Sequence, residues 1–348
     1  MPHERFKCST SQAFLVLFCI IAQPLFGQEK TGATIAPTGE MQAIMEQLGS
    51  ENVTTQMHAL ERLKGQKNKR PALPALHALL VAHRDDAPES VEQRAREINL
   101  LLAVQNLLSI GDASSLQPLQ ELGAREGNEL SKVALAWGTA ALGDPSGTEI
   151  LLTRLRDTGA PNKFEAAKAL RETAAQACKD LIERGRLQPV ILLDVARQAS
   201  KDFDSKNENK GKSLAELRAK AATLYGYELD AALSRARELS RLLTAYSDVW
   251  TKALLVLAVT EKGVPVLAAA LRDPDPSLVD LRGTMVATLG ESKDDRAVLP
   301  LIELLRDSSD QSLKSAAGKA LQNITGQNIG EDAVAWTAWW KGKNKGRK

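Results

Sequence analysis

Aromatic side chains make up only 4% of this chain, and it has just four histidines in 348 residues. Almost no window shows the alternation of Val, Ile, Thr and Tyr between regular turns that a sheet requires. Cysteine is nearly absent: Cys8 and Cys19 fall in a leader expected to be removed, which leaves Cys178 alone. No intrachain disulfide can then form, and stability has to come from packing. An excess of one charge is missing too, with 45 basic and 43 acidic residues and a net charge of +2. Such a chain has no global field to gather nucleic acid, and none is expected as a partner.

Catalytic patterns are also missing. There is no HExxH to hold a zinc-bound water, no GxSxG elbow to present a serine, and no GxxxxGK[ST] loop to cradle phosphate. Three histidines lie beyond the leader: His58, His77 and His83. His77 and His83 are six apart on one expected helix, about 600° of turn, so they point in widely different directions. Cys178 sits among alanines, the setting of a small core residue rather than of an activated thiol. Asp85-Asp86 and Asp294-Asp295 fall in expected turns, where carboxylates cap helices. The expectation is no enzyme, no metal and no cofactor.

What is present is Ala and Leu in a chain that is 43% hydrophobic. Both favour helix, and alanine lets helices approach closely. The N-terminus reads as an export signal over 1–27: Arg5 and Lys7, the apolar run Ala13 to Ala22, and Gly27 as a small residue at the cleavage point. That run is shorter than the roughly 20 residues a spanning helix needs. The alternative is an uncleaved anchor lying in the membrane interface. A polar linker over 28–39 follows, and no transmembrane segment is expected in the mature chain.

From residue 40 to 326 the sequence repeats. Leu271-Arg272-Asp273 recurs 34 residues later as Leu305-Arg306-Asp307, and Pro265 recurs as Pro300. Each copy holds two apolar helical segments joined by a turn, a unit that must stack on its neighbours to bury its apolar face. Leu-Gly-Asp at 110–112 (with Ile110) and at 142–144 marks unit ends, and Leu289-Gly290-Glu291 has the same form. Glycine past a helix end takes the left-handed conformation, and the acid caps the next helix. Asp144-Pro145 and Asp275-Pro276 place proline at a first helical position. Between these marks the count runs about 11 residues over, which points to an insertion at 201–212. Ser213 and Glu216 then restart a helix as a capping box.

This combination of a two-helix unit, Leu-Arg-Asp, a proline-started helix and Leu-Gly-acid resembles HEAT repeats, specifically the short kind found in bacterial exported proteins and phycobilin-lyase-like repeat proteins. The closing Thr325-Gly326-Gln327-Asn328 with Trp336-x-x-Trp339-Trp340 is similar to the end of such exported proteins. The resemblance implies an all-α, right-handed α-solenoid of about eight hairpins, whose usual role is protein binding. The paired His-Glu motifs of metal-dependent HEAT-repeat hydroxylases are absent, so that role is not implied.

The expected function is a non-catalytic scaffold for another protein, in extended form, acting in the bacterial envelope or periplasm as a monomer. Its concave face would use second helices such as Leu130–Leu142, Ser213–Tyr225 and Ser277–Leu289. Arg218, Lys220, Arg282 and Lys314 interrupt the apolar stripe and are the candidate contacts. Trp336, Trp339 and Trp340 in 327–341 read as an end cap, or as an aromatic platform for a carbohydrate or partner chain. The basic segment 342–348 reads as a solvated tail, or one drawn to anionic lipid or cell-wall polymer. Two other roles stay open. One is bilin-lyase-like binding of a small acidic ligand near Tyr225, Tyr227 and Tyr246; the other is a passive spacer.

Overall fold

The computed structural model describes residues 39–83, 91–160, 163–207, 214–224 and 226–345. The expected signal and the linker up to residue 38 lie outside them, as do Asp85-Asp86, Ser213 and Tyr225. Among the described residues there are seventeen α-helices and no strand, so the chain is an all-helical repeat protein of the HEAT-like solenoid class. The described residues divide into two compact units, one of those up to 154 together with 176–181, the other of those in 155–175 and from 182 on.

In the first unit, α1 (Gly39–Leu48) pairs with α2 (Val53–Lys64), α3 (Leu73–Ala82) with α4 (Val91–Ile110), and α5 (Leu116–Arg125) with α6 (Glu129–Ala141). First helices pack on first helices, and α2 packs on α4 and α4 on α6, which makes two rows. The apolar spacing explains the pairing: Met41, Ile44 and Leu48 of α1 are buried with Leu60 and Leu63 of α2. Gly111 (φ +69°) and Gly143 (φ +106°) end helices in the left-handed region, where glycine escapes the Cβ clash. Asp112 then accepts from the Ser114 N–H and Asp144 from the Ser146 N–H, so both caps form as expected. Register between α2 and α4 is fixed by amides. Asn99 Nδ2 donates to the Val53 carbonyl (2.9 Å) and Asn106 Nδ2 to the Leu60 carbonyl (3.2 Å), seven residues on in both helices.

Helices α7 (Pro145–Arg156) and α8 (Phe164–Glu183) come next. The second unit then continues with α9 (Val190–Lys206), α10 (Leu214–Ala221), α11 (Gly226–Val259), α12 (Gly263–Ala270), α13 (Pro276–Val279), α14 (Arg282–Ser292), α15 (Val298–Asp307), α16 (Gln311–Thr325) and α17 (Ala333–Lys345). Helix α11 is its axis, with α9, α10, α12 and α14 all packed on it; α14 packs in turn on α16, and α16 on α15. No Gly or Pro stands between Tyr227 and Lys262, so nothing interrupts α11. Among the described residues it is the one helix long and apolar enough to cross a membrane. Here its Leu242, Tyr246, Val249, Leu254 and Leu257 are buried as core.

Several sequence expectations are corrected in this unit. Of the insertion at 201–212, Lys201 to Lys206 are helical and continue α9. The reason is Phe203, whose ring packs edge-on against Tyr246 (6.2 Å) and Trp250 (6.0 Å) of α11. The expected second helix Ser213–Tyr225 is the short α10 instead, laid on α11. Ser277–Leu289 is not one helix: Leu281 N–H bonds back to the Leu278 carbonyl, and this tight turn separates α13 from α14. Gly290 does not end a unit. Helix α14 runs on to Ser292, Lys293 takes the left-handed position (φ 54°), and Asp294 rather than Glu291 caps the next helical turn. A Cβ on Gly290 would meet Ala320 Cα at 2.9 Å, so this glycine serves the close crossing of α14 and α16. The expected tail 342–348 begins inside α17, because Lys343 is held by Asp295 (3.2 Å).

Candidate functional site

One open groove in the second unit, about 570 Å³ in volume, gathers a mixed apolar and basic lining. Leu233, Ala236, Arg237, Ser240, Arg241 and Thr244 form one face of it. Their spacing of three and four residues makes a continuous stripe along the first half of α11. Arg218 of α10 and Phe164 at the start of α8 complete the lining.

The floor is held from behind. Arg171 is fully buried and lies over the Phe164 ring with its guanidinium carbon 5.6 Å from the centroid. Its Nε donates to Asp248 (2.7 Å) and its Nη1 to the Asp157 carbonyl, so α8 is pinned to α11.

Charge in the groove is unevenly satisfied. Arg241 donates twice to Glu238, at 2.9 and 2.6 Å, which leaves Nη1 unengaged. These bonds hold the Glu238 carboxyl below its ordinary range. Arg218 and Arg237 are exposed, and their side chains make no ion pair or hydrogen bond among the described residues. Among the described residues no carboxylate lines the groove.

Of the residues the sequence nominated, only Arg218 is in this groove. Lys220 is exposed on α10 but outside the lining. Arg282 is half-buried and donates Nη2 to the Asp273 carbonyl (2.8 Å), so it braces the α12 to α14 turn. Lys314 is half-buried on α16, away from the lining. The tryptophans divide. Trp336 is fully buried with its Nε1–H donated to the Gly330 carbonyl (2.8 Å), so this ring belongs to the cap and offers no exposed platform. Trp339 stands perpendicular to it at 5.8 Å, and Trp340 lies tilted at 6.1 Å from Trp339. Both are half-buried, with Lys343 Nζ 5.4 and 5.2 Å from their rings.

Of the three tyrosines, Tyr225 lies outside the described residues, and the other two do not converge. Tyr246 is buried beneath Lys206, Tyr227 is 87% exposed, and neither lines the groove. Cys178 is buried, which pushes its thiol up to about 12 and keeps it protonated. No group of three or more His, Cys, Asp or Glu side chains is disposed to hold a metal among the described residues. His77 meets Ser115 Oγ at 3.0 Å, while His83 pairs with Glu126 at 3.3 Å.

Residues 242–328 match the HEAT repeats family. The HEAT match starts midway along α11 and runs past α16, the region where the sequence repeat is plainest. No curated protein matches the chain. Among solved structures, human deoxyhypusine hydroxylase in complex with glycerol is similar at 17% identity, over 83% of this chain and 96% of that one, with a TM-score of 0.27. A likeness at that level transfers no function. The HEAT repeats make this chain a helical repeat scaffold.

Sequence reading missed Phe164, Leu233, Ala236, Arg237, Ser240, Arg241 and Thr244. One signal was available: Arg237 and Arg241 are four apart on a helix, and like charges at that spacing oppose helix formation.

Proposed function

We infer that this protein is a non-catalytic scaffold which holds another protein, and that it works after export, in a bacterial envelope or periplasm. The observation that carries the reading is the stripe along α11, an open groove in which, among the described residues, two guanidiniums have no partner. Repeat scaffolds bind along extended surfaces by many modest contacts and need no deep pocket. The basic and apolar leader ending at Gly27 supports export.

The test is affinity capture with the mature chain from an envelope extract, followed by mass spectrometry. One stoichiometric protein supports the scaffold. A coloured small molecule would instead favour the lyase-like role, and an empty chain the spacer. N-terminal sequencing of the exported protein checks the leader: a mature end at Gln28 is expected, and an intact Met1 in the cytoplasm would remove the placement.

A further inference from the structure

We propose that the α11 groove takes a short extended segment of a partner protein, with acidic side chains at alternate positions and an apolar residue between them. The proposal rests on the scaffold reading and adds the chemistry of what is held.

Charge complementarity selects the occupant. Among the described residues the lining offers three guanidiniums and no carboxylate; Arg241 is paired with Glu238 beside the groove, and the side chains of Arg218 and Arg237 have no partner there. Isolated cations beside apolar surface favour an anion that can approach closely, because water is partly displaced there and the attraction strengthens. Arg guanidinium forks match carboxylates in two-point geometry.

Spacing selects the form. Arg237 and Arg241 are separated by about 6 Å along the helix axis, from a rise of 1.5 Å per residue. Alternate side chains of an extended peptide are separated by about 6.6 Å and share one side. Acids at positions one and three of such a segment therefore meet the two arginines, with Arg218 facing them from α10. The apolar residue between them points the other way along the pleat, towards the wall that Phe164 supplies. From Leu233 to Thr244 the stripe is about 16 Å long, room for about five extended residues.

A nucleic acid fits less well. Among the described residues the lining has one aromatic ring, Phe164, which Arg171 already covers on one face, so they offer no platform for successive bases.

The experiment is fluorescence anisotropy on the full mature chain with a labelled nine-residue peptide of alternating Glu and Leu. The same peptide with Lys for Glu, and a single-stranded oligothymidylate, are the comparison probes. The Glu peptide is expected to bind, and to weaken as salt rises from about 0.05 to about 0.5 M. The double variant Arg218→Glu, Arg237→Glu should weaken it by at least ~10-fold, while Lys220→Glu, Lys314→Glu should change it less than ~2-fold. All four side chains lie at or near the surface, and circular dichroism confirms the fold of each variant. Ser240→Trp, which fills the groove without changing charge, should also abolish binding.

Three results overturn the proposal: no binding of the Glu peptide, equal loss in the two double variants, or tighter binding of the oligonucleotide. Capture separates it from the scaffold reading. A protein partner retained equally by the Arg218→Glu, Arg237→Glu chain removes the groove and leaves the scaffold standing. Peptide binding without any captured protein does the reverse.

Discussion

Helix α4 and the first half of α11 both pack against several neighbouring helices of their own unit, yet they are used in opposite ways. From Asn99 to Leu108 every residue of α4 is buried, including Asn99, Gln105 and Asn106. Its asparagines are short enough to turn their amide N–H groups onto backbone carbonyls of α2, so these donors are satisfied inside the unit, while Oδ1 of both is buried without a partner. The α11 stripe carries Arg237 and Arg241, whose charge could not be buried without several kcal/mol of desolvation. A repeat helix becomes framework or surface according to whether its polar side chains can be satisfied from within.

Arg171 sharpens that contrast, because it is an arginine of the second unit that is buried. Removing it in Arg171→Ala leaves the Asp248 carboxylate without its partner and opens space beside Phe164. A loss of about 3–5 kcal/mol is expected from the midpoint and slope of urea unfolding. Arg237→Ala, which has no partner to leave behind, should stay within about 0.5 kcal/mol. Similar losses for both would erase the distinction between framework and surface arginines.

Next in size is Asn106→Asp. The change replaces an amide donor by oxygen beside the Leu60 and Leu102 carbonyls, in a site with no water-exposed surface to relieve it. About 2–3 kcal/mol is expected at neutral pH. Burial raises the folded-state value of the new carboxyl above its unfolded one, so the deficit should shrink as pH falls towards about 4. A deficit that is flat with pH would mean that the side chain escapes to water, and that α4 is less enclosed than α2 and α6 make it.

Gly290 tests the packing of α14 on α16 in the same way. Gly290→Ala pushes a methyl against Ala320 backbone and should cost about 1–3 kcal/mol by thermal unfolding. Lys293→Gly, three residues on, relieves a left-handed non-glycine residue and should gain up to about 1 kcal/mol. If these signs are exchanged, Gly290 is the helix terminator after all.

That exchange is where sequence reading stopped short. Helical pairing, the caps at Asp112 and Asp144 and the buried place of Cys178 could be read directly, since each depends on local spacing or on two adjacent residues. Leu289-Gly290-Glu291 copied the terminator pattern, but a glycine reads alike whether it answers to its own φ or to a neighbour's backbone, and only the crossing with Ala320 tells them apart. Lys201 to Lys206 looked like loop because composition counts charges, while one aromatic contact from Phe203 decides the outcome. For the groove, Arg218 was legible because it breaks an apolar stripe. Arg237 and Arg241 were not, because they sit among charges on an exposed face, and the wall opposite them comes from Phe164, some 70 residues earlier.

The smallest effect concerns the caps, which serve framework and surface helices alike. Asp112 is held below its usual value by its hydrogen bonds with Ser114, with Arg70 adding charge; Asp144 by its bonds with Gln120 and then Ser146; Asp294 by its bonds with Arg296. A carboxyl depressed in the folded state contributes stability that is complete above its unfolded value, about 3.9, and is lost as pH falls through the folded value. Each contribution is a fraction of a kcal/mol, because all three groups reach solvent and are screened. The triple variant Asp112→Asn, Asp144→Asn, Asp294→Asn keeps the capping oxygens and loses the charge. Its unfolding midpoint should nearly equal the parent's at pH 7 and fall less steeply between pH about 4 and about 2. Parallel acid curves for the two chains would assign the acid sensitivity to buried pairs such as Arg171 with Asp248, and so return it to the framework side of the comparison.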